Sequence, residues 1–94
     1  MRFRIAIPPV IREALLNLPS QEQDELAEKL DLLQKHPFMY QLWFRSRRFR
    51  RHRQFVVGNW RIFYRVVDDT IWIRGLWPAQ LPLRLMKRGA QTPQ

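Results

Sequence analysis

The 94-residue sequence contains no cysteine. That excludes a disulfide framework and a cysteine-ligated zinc site, and the expectation is a reducing, cytoplasmic setting. No run of about 18 apolar residues occurs, so no helix is expected to span a bilayer. The opening MRFRIAIPPV has too short an apolar run for a secretory signal, and it lacks a small-residue cleavage site. Internal repeats and low-complexity segments are missing too. Acidic side chains are nearly absent from the later part of the chain. Residues 38 to 94 carry Asp68 and Asp69 alone against twelve Lys and Arg, while residues 1 to 37 hold six acidic and five basic side chains. The overall charge of +9 therefore belongs almost wholly to the later part. Such a field fits a solvated basic surface, but over half a small domain it more often meets nucleic acid or an acidic protein partner.

A chain of this length makes one domain and buries about two thirds of its unfolded surface. In RFRIAI, residues 2 to 7, Phe3, Ile5 and Ile7 alternate with Arg2, Arg4 and Ala6, which predicts a half-buried strand. Pro8 and Pro9 stop it and suit the first turn of a helix, whose apolar side is Ile11, Ala14, Leu15 and Leu18. After Leu18-Pro19, Ser20 is expected to cap a second helix with Gln23 as its capping-box partner. This helix runs to about Lys35 on Leu26, Leu30 and Leu33, with its acidic residues in the early turns, where the helix dipole favours them. A helical hairpin of this kind covers one face of a sheet. Residues 38 to 46, FMYQLWFRS, read equally as strand or core-lining loop and are taken as a connection. Three strands follow: Arg48 to Val57, Trp60 to Val67 and Thr70 to about Trp77. Gly58-Asn59 and Asp68-Asp69 form the two-residue turns between them. Residues 81–94 form a tail, helix or extended arm, whose end is expected to be disordered.

With two-residue turns, register follows. Val67 pairs with Thr70, Tyr64 with Ile73, Trp60 with Trp77, Val57 with Trp60 and Phe55 with Ile62. The core face then holds Phe55, Val57, Trp60, Ile62, Tyr64, Val66, Ile71, Ile73 and Trp77. The opposite face holds Arg50, His52, Gln54, Val56, Arg61, Phe63, Arg65, Trp72, Arg74 and Leu76, with Arg65 across from Trp72 and Arg74 across from Phe63. Guanidinium groups there suit phosphate oxygens. Phe63 and Trp72 offer planes for unpaired RNA bases, each stack being worth roughly 1–3 kcal/mol. The plainer alternative is arginines lying over aromatic rings on an outer face, at about 0.5–1 kcal/mol each. Arg51 and Arg53 fall on the nominal core face, which implies either an uncovered sheet end or a bulge before Phe55. The run RSRRFRRHR, residues 45 to 53, reads as a localisation signal, a basic arm or, since it continues into a strand, a phosphate-contacting edge.

The segments RIAIPPVIREALLNLP and, above all, VVGNWRIFYRVVDDTIWIRGLW resemble the RelE/ParE superfamily of bacterial and archaeal toxins over residues 2 to about 80. The likeness lies in the Gly-containing turn, aromatic, Arg, apolar pair, Tyr and short acidic turn before the last strand. The resemblance implies an α+β domain (residues 1–80) in which an N-terminal strand, a helical hairpin and a three-stranded antiparallel meander form one sheet, covered on one face by the helices. It also implies a toxin neutralised by an antitoxin, which the basic half of the chain predicts to be acidic. A homodimer, or a heterotetramer with the antitoxin, is compatible with this. RelE-like members cut mRNA in the ribosomal decoding site through attack of the ribose 2′-hydroxyl, so mRNA and ribosomal RNA are the implied partners, with no membrane, metal or cofactor. The family's strand-three transition-state ligand matches Arg61, and its basic strand-two positions match Arg50 and His52. His52 is the acid–base candidate, while Arg50, Gln54, Arg65, Arg74, Phe63, Trp72 and the tail's Lys87 and Arg88 are candidates for RNA and phosphate binding.

The chain departs from the family where a second phosphate-binding arginine is common, since Trp77-Pro78-Ala79-Gln80 stands there. No Tyr or His follows Gln80. Arg74, Lys87 and Arg88 are the candidates to compensate. Two rival readings follow: a ParE-like inhibitor of DNA gyrase, and a non-catalytic relic that binds RNA or antitoxin.

Overall fold

Pro8 and Pro9 end the first strand and start the first helix, as their fixed φ and missing N–H dictate. The computed structural model describes residues 2–43, 47 and 49–80. The chain forms β1 (Arg4–Ala6), α1 (Pro9–Leu16), α2 (Ser20–Lys35), β2 (Arg53–Val57), β3 (Trp60–Val67) and β4 (Thr70–Pro78). The four strands make one mixed sheet in the order β1-β4-β3-β2, with β1 parallel to β4 and both other pairs antiparallel. This is the α+β fold expected from the sequence. No described helix is long and apolar enough to cross a membrane. The tail, residues 81–94, lies outside the described residues.

The helical hairpin buries one face of the sheet. Ile11, Leu15, Leu18, Leu26 and Leu33 pack with Phe55, Val57, Ile62, Tyr64, Ile71, Ile73 and Leu76. The buried Tyr64 hydroxyl donates to Pro37 O at 2.8 Å and ties the exit of α2 to β3. Burial pushes its pKa up to about 12, so it remains a neutral donor. The α2 cap differs from expectation. Pro19 occupies the N-cap position with no side-chain cap, so Ser20 already lies inside the helix. Gln23 donates instead to Leu16 O and Leu18 O, satisfying carbonyls at the end of α1 rather than its own helix start.

Both turns are set by a positive-φ residue in the first position, Gly58 at 55° and Asp68 at 55°. Gly58 is also pressed against α2, where an added Cβ would come within 2.3 Å of the Glu22 carboxyl group. The β2–β3 register is the expected one, with Phe55 opposite Ile62 and Val57 opposite Trp60. The β3–β4 register agrees from Val67–Thr70 to Tyr64–Ile73 and then shifts. Arg74 is left without a partner, Phe63 faces Gly75, and Trp60 faces Pro78 rather than Trp77. A bulge of one residue turns the following side chains over. Leu76 therefore enters the helix-covered core, and Trp77, expected there, joins the opposite face.

β2 is shorter than expected, because Arg51 adopts a left-handed backbone (φ 65°) and breaks the strand. This answers the question posed by Arg53, whose side chain lies at the sheet end. Its guanidinium donates to Tyr40 O at 2.7 Å and stands 5.2 Å from the Phe38 ring. Residues 41–43 run beside β2, through a Leu42–Arg53 bridge and a Trp43 N–H to His52 O bond of 2.7 Å. Further along, Lys29 Nζ donates to Val56 O. Between them these contacts cover the β2 edge, which would otherwise be open to another strand.

Candidate functional site

The face away from the helices has two zones. Near the Gly58 turn it is covered by a second apolar cluster of Trp43, Phe49, Phe63 and Trp77. Phe49 stacks on Phe63 with centroids 3.9 Å apart and planes within 5°. Its ring occupies the space above Gly75, where a Cβ would meet ring carbons at 2.3 and 2.4 Å. Trp43 meets the edge of Phe63 at 5.3 Å. Phe63 is fully buried, so it cannot serve as a base-stacking plane, contrary to the sequence expectation. Its partner in that role, Trp72, is 41% exposed and stands across from Arg65 as expected.

Arg61 sits at the border of the zones. Its Nη1 donates to Gln54 Oε1 at 2.7 Å, a diagonal cross-strand contact, and its guanidinium carbon lies 4.9 Å from the centroid of the Trp43 ring. The fork is thus held from two sides while the residue stays partly accessible. Gln54 therefore acts on the site through Arg61, holding it in place.

His52 lies immediately before β2, after the left-handed Arg51. Its Nδ1 is 2.8 Å from Arg50 O. A carbonyl only accepts, so Nδ1 carries the proton and Nε2 of the neutral ring keeps the free lone pair. The Phe49 ring and the imidazole are close to perpendicular, with centroids 5.6 Å apart. Burial lowers the His52 pKa below its ordinary 6.5, and the charges of Arg74 and Arg65 act in the same direction against the hydrogen bond to Arg50. These electrostatic links bring His52, Arg65 and Arg74 into one neighbourhood, with Arg50 at its edge. Arg50, Arg65, Trp72 and Arg74 are all exposed.

The charge pattern separates the two faces. Among the described residues the ion pairs are Arg2–Asp31, Arg4–Asp69, Lys29–Glu25 and Lys35–Asp31. None involves Arg50, Arg65 or Arg74, and β2, β3 and β4 contain no Asp or Glu. Among the described residues no three His, Asp or Glu come together as a metal site. Lys87 and Arg88, the tail candidates, lie outside the described residues, as do residues 45, 46 and 48 of the 45–53 run. Sequence reading missed Trp43, Phe49 and Trp77 as parts of this face. The available signal was Gly75, because a glycine inside a strand marks a bulge or a close approach.

The open mixed sheet with a helical hairpin on one face is a fold that this chain shares with two solved structures. The fold is similar to that of the E. coli toxin RelE, a double arginine-to-alanine mutant in the free state, with a TM-score of 0.67 and 15% identity over 85% of this chain and 86% of that one. It is also similar to the archaeal RelE–RelB complex from Pyrococcus horikoshii OT3, with a TM-score of 0.64 and 22% identity over 87% and 100% of the two chains. No curated protein matches the sequence. The family model for the "ParE toxin of type II toxin-antitoxin system, parDE" matches residues 11–80. The chain belongs to this ParE toxin family, within the RelE/ParE superfamily.

Proposed function

We propose that the chain is the toxin of a type II toxin–antitoxin pair and that it cleaves mRNA on the ribosome. The observation that carries this reading is the basic outer face itself: Arg61 braced by Gln54, His52 with a free Nε2 near Arg65 and Arg74, and exposed arginines that make no ion pair among the described residues. In the proposed step His52 Nε2 takes the proton of a ribose 2′-hydroxyl. The oxygen attacks the adjacent phosphorus, the P–O5′ bond breaks, and the products are a 2′,3′-cyclic phosphate and a 5′-hydroxyl that takes its proton from solvent. Arg61 stabilises the charge that builds on the phosphate oxygens, an effect worth about 10²–10³ in rate for one well-placed donor. Arg50, Arg65 and Arg74 position neighbouring phosphates, and Trp72 stacks on a base. The complex seen for the Pyrococcus horikoshii relative supports an antitoxin partner. Charge complementarity makes that partner acidic and its affinity salt-sensitive.

A second reading is inhibition of DNA gyrase, favoured by the match to the ParE family model and by Trp77-Pro78-Ala79-Gln80 standing where the resemblance implies a second arginine. Induced expression of the wild type beside Arg61→Ala, with mapping of mRNA 5′ ends, decides between them. Growth arrest with new ends at the decoding site, lost in the variant, supports the nuclease. Arrest with a DNA-damage response and no new ends moves the target to gyrase. Absence of arrest in both strains overturns the toxin activity and leaves a binding relic of the fold.

A further inference from the structure

We propose that Trp43 and Trp77 present their indole N–H groups as additional donors to an RNA phosphate beside Arg61. The inference rests on the RNA reading above and adds two residues to its site.

Three observations lead to it. The β4 bulge at Arg74 turns Trp77 out of the helix-covered core and brings it opposite Arg61 in the β3–β4 register. Bulges next to functional sites re-aim side chains in this way. Trp43 arrives at the same guanidinium from the chain that runs beside β2, 4.9 Å from ring to Arg61. Finally, both indole nitrogens are buried and find no hydrogen-bond partner among the described residues. Phenylalanine would fill similar space without that cost, and folded proteins seldom keep a buried donor unpaired without a use for it.

The chemistry of the missing acceptor follows from the donors. The two indoles offer N–H groups only, and the side-chain oxygen of Gln54 is already taken by Arg61. A base edge, which mixes donors and acceptors, suits such a set poorly. A phosphodiester suits it well, because its oxygens carry several lone pairs and a negative charge that Arg61 neutralises. Arg61 is only partly buried, so a phosphate reaches the cluster along its guanidinium. A small shift of the indoles then completes the contact.

The test uses the full chain with 15N-labelled tryptophan and a non-cleavable 2′-O-methyl trinucleotide. The indole signals of Trp43 and Trp77 are expected to move downfield as the RNA is added, together with the His52 ring signals. Trp43→Phe and Trp77→Phe are each expected to weaken RNA binding about tenfold while leaving the melting temperature unchanged or higher. RNA binding that moves His52 and leaves both indoles in place overturns the inference alone. So does a substitution that lowers the melting temperature and spares RNA affinity, since the N–H would then be bonded within the protein. An acidic peptide that moves the indoles when RNA does not would assign the donors to a protein carboxylate instead. If RNA moves neither His52 nor the indoles, and Arg61→Ala binds as the wild type does, the RNA reading fails and this inference falls with it.

Discussion

On one face of the sheet, regular helices cover Ile62, Tyr64, Ile71, Ile73 and Leu76; on the other, a loop covers Phe63 with Phe49 and Trp43. The inner face satisfies its buried polar group, since the Tyr64 hydroxyl finds Pro37 O. The outer face leaves two indole donors without partners among the described residues and is bordered by arginines. On the helical side Asp31, Glu25, Lys29 and Lys35 enter ion pairs, whereas Arg50, Arg65 and Arg74 make no ion pair among the described residues. The inner face is built for stability. The outer one gives up some stability in its two unpaired buried donors.

The strongest way to break this comparison is Phe63→Ala. It removes the fully buried floor of the outer cluster, so a loss of about 3–5 kcal/mol in a urea titration is expected. An effect below about 1 kcal/mol would mean that the loop aromatics collapse into the gap and that the outer cluster contributes little to the fold.

A sharper cut is Gly75→Ala. The new methyl would overlap the Phe49 ring, which has to leave its place above the strand. Because Phe49 belongs to a loop, the expected loss is smaller, about 1–3 kcal/mol. Hydrogen exchange is the measurement that separates the faces. Amides near Phe49 and His52 should lose protection while those of α2 keep theirs. Equal loosening of α2 would show that the two clusters are one cooperative core.

These two sites also show what the sequence could reveal. The short turns and the alternation of Val66, Tyr64, Ile71 and Ile73 fixed the register as far as Tyr64–Ile73. Beyond that point the run Leu76-Trp77 is apolar at both positions and satisfies either register, so the alternation does not reveal the bulge at Arg74, and Gly75 was its one signal. The same ambiguity hid the cover of the outer face. FMYQLWF is apolar throughout, and periodicity alone cannot say that Trp43 turns onto Arg61 while Tyr40 stacks on Phe55 of the inner core. Arg61, Gln54, Arg65 and Trp72 were legible as one face because they lie on strands with fixed alternation. Ser20 was misplaced because proline took the cap position, where ordinary capping preferences point to serine.

On the inner face, Tyr64→Phe removes only the bond to Pro37 O, in a site that stays packed. The expected loss is about 1 kcal/mol by thermal or urea unfolding. Toxicity should be unchanged, because the ring lies on the face away from Arg61. A variant that folds as well as the wild type but loses toxicity would place Tyr64 in communication with the outer site and end the separation of the two faces.

The smallest effect is expected from His52, and it is a slope with pH. Burial lowers its pKa in the folded protein below the 6.5 of the free side chain, with Arg74 and Arg65 assisting. The unfolded chain therefore binds the proton first as pH falls. Stability from this group is complete above pH 6.5 and is lost between 6.5 and the lower folded value. His52→Gln should flatten that part of the stability curve, measured as urea midpoints between about pH 5 and pH 7. The pH dependence of the proposed cleavage has the same origin, because in that proposal the neutral ring with its free Nε2 acts as the base. Cleavage should persist below pH 6.5 and fall only as the folded histidine becomes protonated. Ring-proton titration by NMR gives that value directly. A His52 pKa at or above 6.5 would mean that its proton is held by a negative group, and the outer face would then no longer be the purely basic surface that sets it apart from the helical side.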